Sequence, residues 1–148
     1  MKLVLIEACR LMLQDHDTAA TEAGSASLLH RFRQLVERNF RRQRPMTAYA
    51  DDLGITADRL HDICRRTTGR PPLQLVHERL TREAMLHLER SARTIQQIAE
   101  QLGFRDPTYF SHFFKRQTGL SPAAYRRRVR TAGEEQRAAG AASYADWP

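Results

Sequence analysis

Cysteine, long apolar runs and strand-like alternation are scarce in this sequence, and each scarcity excludes a class of protein. The two cysteines, Cys9 and Cys64, are 55 residues apart, which is the spacing of neither a disulfide framework nor a metal site. The most apolar stretch, residues 2–13, contains Glu7 and Arg10 and is too short to cross a bilayer, so we expect no membrane partner. No segment alternates between apolar and polar residues with the period of a half-buried strand. The sequence therefore predicts an all-α protein.

The residue groups that carry out catalysis are also missing. A nucleophile beside a base, a carboxylate pair in a pocket or a glycine-rich phosphate loop would each leave a pattern, and none is visible. Asp51 and Asp52 fall within a predicted short helix, where a solvated face explains them. His77 and His87 are ten residues apart, which is not the spacing of a ligand pair. We therefore predict that the chain is not an enzyme and has no cofactor and no metal site.

Positive charge is concentrated in the middle of the chain. The net charge is +7 overall, but residues 28–130 hold 21 of the 24 Lys and Arg residues and 10 of the 17 Asp and Glu residues, a net charge of +11. A basic domain attracts any polyanion, so charge alone fits RNA, an acidic partner or an anionic membrane as well as DNA. The sequence motifs have to distinguish these partners.

A helix-turn-helix pattern lies between Thr94 and Gly119. Thr94 and Gln97 have the spacing of a capping box, which starts a first short helix. Asp106 and Pro107 suit the cap and the first position of a second helix, and Gly119 suits its left-handed C-cap. The phenylalanines of the second helix share one side and its polar residues share the other. Because an exposed polar helix fits the major groove of B-form DNA, this pattern predicts a DNA recognition helix.

An earlier segment repeats the pattern. Shifting the chain by 49 positions places Gly54 on Gly103, and shifting it by 50 places Gly69 on Gly119. One residue inserted in the turn explains both offsets. The earlier copy therefore predicts its own recognition helix over about residues 57–68. We expect three of its residues to be buried: Leu60, Ile63 and Cys64.

The two copies together resemble the DNA-binding domain of the AraC/XylS family of bacterial transcription regulators. The resemblance covers roughly residues 28–130 and is carried by IAEQLGF and DPTYFSHFFKRQTGLSPAAYRR in the second copy, and by ADDLGIT and TTGRPP in the first. It implies two helix-turn-helix subdomains, homeodomain-like and of AraC type, joined by a long linker helix. It also implies double-stranded DNA and RNA polymerase as partners, a role as an activator and a cytoplasmic location.

Outside the motifs, the sequence predicts a division into four parts. Residues 1–13 predict an apolar helix that docks on its own domain, forms a homodimer contact through residues 2–13, or is a remnant of an upstream region. Residues 14–27 are rich in small polar residues and predict a flexible linker. The DNA-binding domain then spans 28–130, with the first helix-turn-helix at about 46–69, the linker helix at about 72–90 and the second helix-turn-helix at about 94–119. Residues 131–148 predict a disordered tail.

The linker helix determines how far apart the two recognition helices lie. Its apolar stripe comprises Leu73, Val76, Leu80, Ala84 and Leu88. About 18 residues at about 1.5 Å each give a helix about 27 Å long. We expect this length to let one molecule reach two successive turns of DNA.

Candidate contact residues lie on the polar sides of the two recognition helices and in neighbouring basic stretches. The base-reading candidates are Asp58, His61, Asp62, Arg65, Pro107, Thr108, Ser111, His112 and Lys115. The phosphate candidates are Arg41, Arg42, Arg66, Arg105, Arg116, Arg126 and Arg127. The family usually has arginine or another long polar donor where this chain has Asp62 and His112.

Two alternatives follow from the sequence. The first is functional: the chain is a sensorless interaction module that pairs with a full-length relative and modulates it without autonomous specific DNA binding. The second concerns Asp62, which either accepts a hydrogen bond from cytosine N4 or forms an ion pair within its own helix. The arginines available for such a pair are Arg59, Arg65 and Arg66.

Overall fold

The structure of the protein is a computed structural model that describes the backbone of residues 2–145 and the side chains of residues 21–138. This described part consists of α-helices and one short 3₁₀ helix, without strands, which confirms the all-α prediction. The α-helices are α1 (Lys2–Asn39), α2 (Met46–Leu53), α3 (Ala57–Thr68), α4 (Pro72–Arg90), α5 (Ile95–Gln101), α6 (Pro107–Thr118) and α7 (Pro122–Ala145). The 3₁₀ helix, Phe40–Arg42, follows α1.

Helices α2 and α3 form one helix-turn-helix pair, and α5 and α6 form another. Helix α5 begins 49 residues after α2, and α6 begins 50 residues after α3, so the extra residue lies in the turn of the second pair. Helices α3 and α6 also end in the same way. The hydroxyl of Thr68 donates to the Cys64 carbonyl at 2.7 Å, and that of Thr118 donates to the Phe114 carbonyl at 2.9 Å. The structure therefore confirms the internal repeat.

The chain divides into two compact units, and the first contains α2, α3 and the part of α1 that ends at Arg38. Its core is apolar, with Phe32 packed edge-to-face on Tyr49 at a centroid distance of 5.6 Å. Arg44 lies over the Tyr49 ring and donates to Asp52 Oδ2 at 2.7 Å. Burial raises the pKa of the Cys64 thiol to about 11, so this cysteine is an inert core residue.

The second unit contains Asn39–Gln43, α4 from Val76 onward, α5, α6 and α7. Phe104 is central to its core, because its ring centroid lies 5.2 Å from those of both Phe110 and Phe113. A charged group flanks this core on α4, where Glu83 accepts from Arg41 at 2.5 Å and from Arg79 at 3.0 Å. These contacts place the 3₁₀ segment against α4.

The two ends of the described chain differ from the sequence-based prediction. Helix α1 runs without a break through residues 14–27, where a flexible linker was expected, and α7 continues to Ala145 through most of the expected disordered tail. Both stretches are rich in alanine, lack proline and adjoin a packed helix, so they extend an existing helix without a new nucleation step. The division into domains remains a prediction. The side chains of residues 2–13, proposed to mediate dimerisation, lie outside the described residues.

The linker helix α4 matches its predicted bounds, but its apolar stripe begins later than predicted. Val76, Leu80, Ala84 and Leu88 are buried, whereas the side chain of Leu73 is 49% exposed. Leu73 lies in the first turn of α4, within the first unit, and the packed stripe starts where the helix enters the second unit. The apolar stripe predicted from the sequence is therefore buried only from Val76 onward.

Candidate nucleic-acid interface

Helix α3 presents four of the predicted base-reading residues on one exposed side. Its start is fixed by Thr56, whose hydroxyl oxygen accepts from the Arg59 amide at 3.2 Å. Its apolar side is buried against the rest of the first unit and comprises Leu60, Ile63 and Cys64, as predicted. The opposite side is exposed and carries Asp58, His61, Asp62 and Arg65. The 3.6-residue period therefore separates a packing face from a polar face along the whole helix.

Helix α6 has the same two-sided arrangement with different polar residues. Asp106 caps it by accepting from the Thr108 amide at 2.8 Å, and Pro107 occupies the first turn, where its missing N–H costs nothing. The packing face comprises Phe110, Phe113 and Phe114. Three predicted base-reading residues are exposed on the opposite side: Thr108, His112 and Lys115.

Two predicted base-reading residues of α6 are less accessible. Pro107 and Ser111 are half-buried, and the Ser111 hydroxyl donates to the Pro107 carbonyl at 2.9 Å. The proton of Ser111 is therefore engaged within the helix, and its oxygen retains only acceptor capacity. Thr108, His112 and Lys115 are the better-exposed contact candidates on α6.

The exposed carboxylates of α3 are not held by neighbouring arginines. Arg59, Arg65 and Arg66 lie three or four positions from Asp62, the spacing at which helical ion pairs form. Among the side chains that the structure describes, Asp58 and Asp62 form no ion pair and no side-chain hydrogen bond. The intrahelical ion pair that the sequence permitted for Asp62 is therefore not formed.

The phosphate candidates fall into two groups. Arg41 pairs with Glu83, and Arg126 is half-buried and donates from Nη2 to the Arg93 carbonyl at 2.7 Å. Both guanidinium groups therefore hold parts of the second unit together. The other candidates are exposed: Arg42, Arg66, Arg105, Arg116 and Arg127.

Tyr109 is an exposed residue on α6 that the sequence analysis did not select. Its side chain is 56% exposed, and its ring centroid lies 5.9 Å from that of Phe104. The sequence analysis assigned only the phenylalanines of this helix to its packing side. The available signal was position, because Tyr109 directly precedes Phe110 and so falls off the packing stripe by about 100°.

Within the described residues, no three His, Cys, Asp or Glu side chains are grouped so that they could hold a metal ion. Every helix in this part of the chain is too short or too polar to span a bilayer.

The structure thus defines a protein with two helix-turn-helix motifs, each presenting an exposed polar helix on a basic domain. A family model described as a helix-turn-helix domain matches residues 49–128, more than half of the chain. The chain belongs to the AraC/XylS family of helix-turn-helix transcription regulators.

Known relatives are similar over part of their length. The chain is 39% identical over 64 residues to the MmsAB operon regulatory protein of Pseudomonas aeruginosa, covering 43% of this chain and 20% of that protein. It is 29% identical over 137 residues to the HTH-type transcriptional activator RhaR of Klebsiella pneumoniae, covering 89% of this chain and 48% of that protein. The chain thus spans less than half the length of these curated relatives.

A solved structure shows the same fold with DNA bound. The DNA-binding domain of AdpA, a global transcriptional factor in complex with a target DNA, superposes with a TM-score of 0.63 at 28% identity. The match covers 71% of this chain and 94% of that domain. The C-terminal domain of AraT, a response regulator from Geobacillus stearothermophilus, gives a TM-score of 0.65 at 26% identity, covering 68% of this chain and 84% of that one.

Proposed function

We propose that this chain is a sequence-specific DNA-binding transcription regulator that inserts α3 and α6 into successive major grooves of duplex DNA. The observation that carries this proposal is the repeated arrangement of the two helices. Each has an apolar side buried in its own unit and an exposed polar side at the equivalent position of the repeat. A helix of this kind fits the major groove, where base edges present distinct donors and acceptors.

The exposed residues have distinct roles in this proposal. Arg65 on α3 and Lys115 on α6 are suited to guanine, which presents two acceptors in the major groove. Thr108 and His112 read bases from the first two turns of α6. The exposed arginines 42, 66, 105, 116 and 127 contact phosphates and fix the register, since phosphate contacts position a protein without reading sequence.

The relatives support the same role. The AdpA domain is described with a target DNA, and RhaR is named a transcriptional activator. We extend both to this chain as proposals: duplex DNA is its ligand, and activation of transcription is its effect. RNA polymerase, and a second copy of the chain bound through residues 2–13, are further proposed partners.

Selection of bound fragments from a random DNA library by the purified full chain tests this function. The expected result is one enriched sequence, whose affinity falls in both Arg65→Ala and Lys115→Ala. Arg31→Ala is a matched control, because Arg31 is exposed on α1 and its removal takes away the same charge. Absence of any enriched sequence would contradict the proposal and favour the interaction module that pairs with a full-length relative.

A further inference from the structure

Asp62 is an exposed carboxylate at the centre of the polar face of α3, and the structure gives it no structural partner. It is surrounded in sequence by Arg59, Arg65 and Arg66 at helical pairing distance, yet it pairs with none of them within the described part of the chain. Asp62 therefore does not stabilise the helix through an ion pair.

Asp58 provides a contrast on the same face. It lies in the first turn of α3, where the positive end of the helix dipole stabilises a carboxylate. Asp62 lies one turn further along, and the dipole effect falls off within the first turn. Spaced four residues apart, the two carboxylates also repel each other. Asp58 thus has a structural explanation, whereas Asp62 adds repulsion without a compensating contact.

The internal repeat shows that this acidic position is not required by the fold. The equivalent of Asp62 in the second copy, 50 residues later, is His112, which is also exposed. Both helices have the same length and the same type of C-cap. A carboxylate at this position therefore changes what the helix presents to a ligand and leaves the packing unaltered.

An ionised carboxylate accepts hydrogen bonds and cannot donate them. Of the base edges in the major groove, cytosine presents the N4 amino donor, guanine and thymine present acceptors, and adenine places the N7 acceptor beside its N6 donor. Acceptors repel a carboxylate. We infer that Asp62 is a specificity-determining residue that selects cytosine at one base pair of the bound site. This inference rests on the proposed function, because it requires α3 to lie in a major groove.

The inference is tested by comparing the selected DNA sequences of the full chain and three variants. Each column of the aligned selected sequences is one base position. Asp62→Ala is expected to reduce the preference for cytosine at one column by about 5- to 150-fold in relative affinity and to leave the preferences at the other columns unchanged. Asp62→Asn is expected to move the preference at that column from cytosine to adenine, since an amide can both donate to N7 and accept from N6. Asp51→Ala is the matched control: it removes the same charge from an exposed position of α2, outside the predicted base-reading residues, and should leave every column as in the original chain.

The outcomes separate the two proposals. A chain that selects no sequence overturns the proposed function and this inference with it. A chain that selects a sequence whose columns are all unaltered in Asp62→Ala overturns the inference alone. Equal flattening by Asp51→Ala and Asp62→Ala would also overturn it, because removal of charge would then explain the effect. Circular dichroism of each variant checks that its overall helix content equals that of the original chain.

Discussion

Replacing Gly103 with alanine tests how the second unit is held together. Gly103 has φ +82° in the turn between α5 and α6, and a Cβ added there would lie far inside van der Waals contact with the Arg41 carbonyl oxygen. Gly119 is a matched control in the same unit. It has nearly the same backbone conformation, with φ +80°, and an added Cβ would meet nothing within 4 Å.

Both substitutions force alanine into a left-handed backbone conformation, and only Gly103→Ala also creates a steric clash. Left-handed geometry costs alanine about 1–2 kcal/mol, of which about 0.4–1 kcal/mol is regained because the unfolded chain loses freedom. Gly119→Ala should therefore destabilise the unit by about 1 kcal/mol. Gly103→Ala must in addition displace the backbone at Arg41, which the ion pair between the Arg41 and Glu83 side chains holds in place. We expect Gly103→Ala to lower the free energy of unfolding by about 3 kcal/mol or more, which is the range found for strained or overpacked sites.

Urea denaturation followed by circular dichroism measures the difference. With a slope of about 2 kcal/mol/M, the midpoint should fall by about 0.5 M for Gly119→Ala and by about 1.5 M or more for Gly103→Ala. Equal shifts would refute the close approach of the 3₁₀ segment to the turn. A larger shift for Gly119→Ala would refute the reasoning altogether.

Three further predictions concern binding and pH. If the basic domain neutralises about 6 to 10 phosphates, log affinity should fall against log salt with a slope of about −5 to −9, and a nearly flat line would contradict DNA binding. Thr108→Ala with His112→Ala should weaken binding more than Asp58→Ala with Asp62→Ala, since acidic groups near phosphate are repelled; competition binding that ranks the pairs in reverse would reject this. Burial, with a smaller effect from Arg116, lowers the pKa of His77, whose ring packs on Phe113. The unfolded chain therefore binds this proton more readily, and the stability that neutral His77 contributes should be lost as pH falls below 6.5. The urea midpoints at about pH 7.5 and 5.5 should therefore differ less in His77→Asn than in the original chain. Equal differences in the two proteins would contradict the claim that protonation of His77 causes this loss of stability.

Local signals in the sequence predicted the helix-turn-helix elements well. Thr94 and Gln97 form the capping box through bonds of 3.0 and 3.2 Å, and Asp106 caps α6. Gly119 adopts the left-handed C-cap conformation. Each of these features depends on residues within one turn of the chain. Such features can be predicted because no distant partner is needed to satisfy them.

Features that depend on distant residues could not be predicted. Arg41 and Arg126 were expected to face phosphate, but their partners are Glu83 and the Arg93 carbonyl, 42 and 33 positions away in the chain. The exposure of Leu73 likewise depends on whether residues distant in the sequence pack against it, and the apolar spacing along α4 does not reveal this. The continuity of α1 was missed because composition indicates how much surface a segment can bury, whereas helix propagation depends on the packed helix beside it.

Hydroxyl-radical footprinting of the full chain on its selected DNA tests the central claim most directly, because it maps which sugars along each strand the bound protein protects. The account predicts two protected tracts about one helical turn, or about 10 base pairs, apart. Arg65→Ala should weaken one tract, and Lys115→Ala should weaken the other. A single protected tract, or loss of the same tract in both variants, would contradict the insertion of α3 and α6 into separate major grooves.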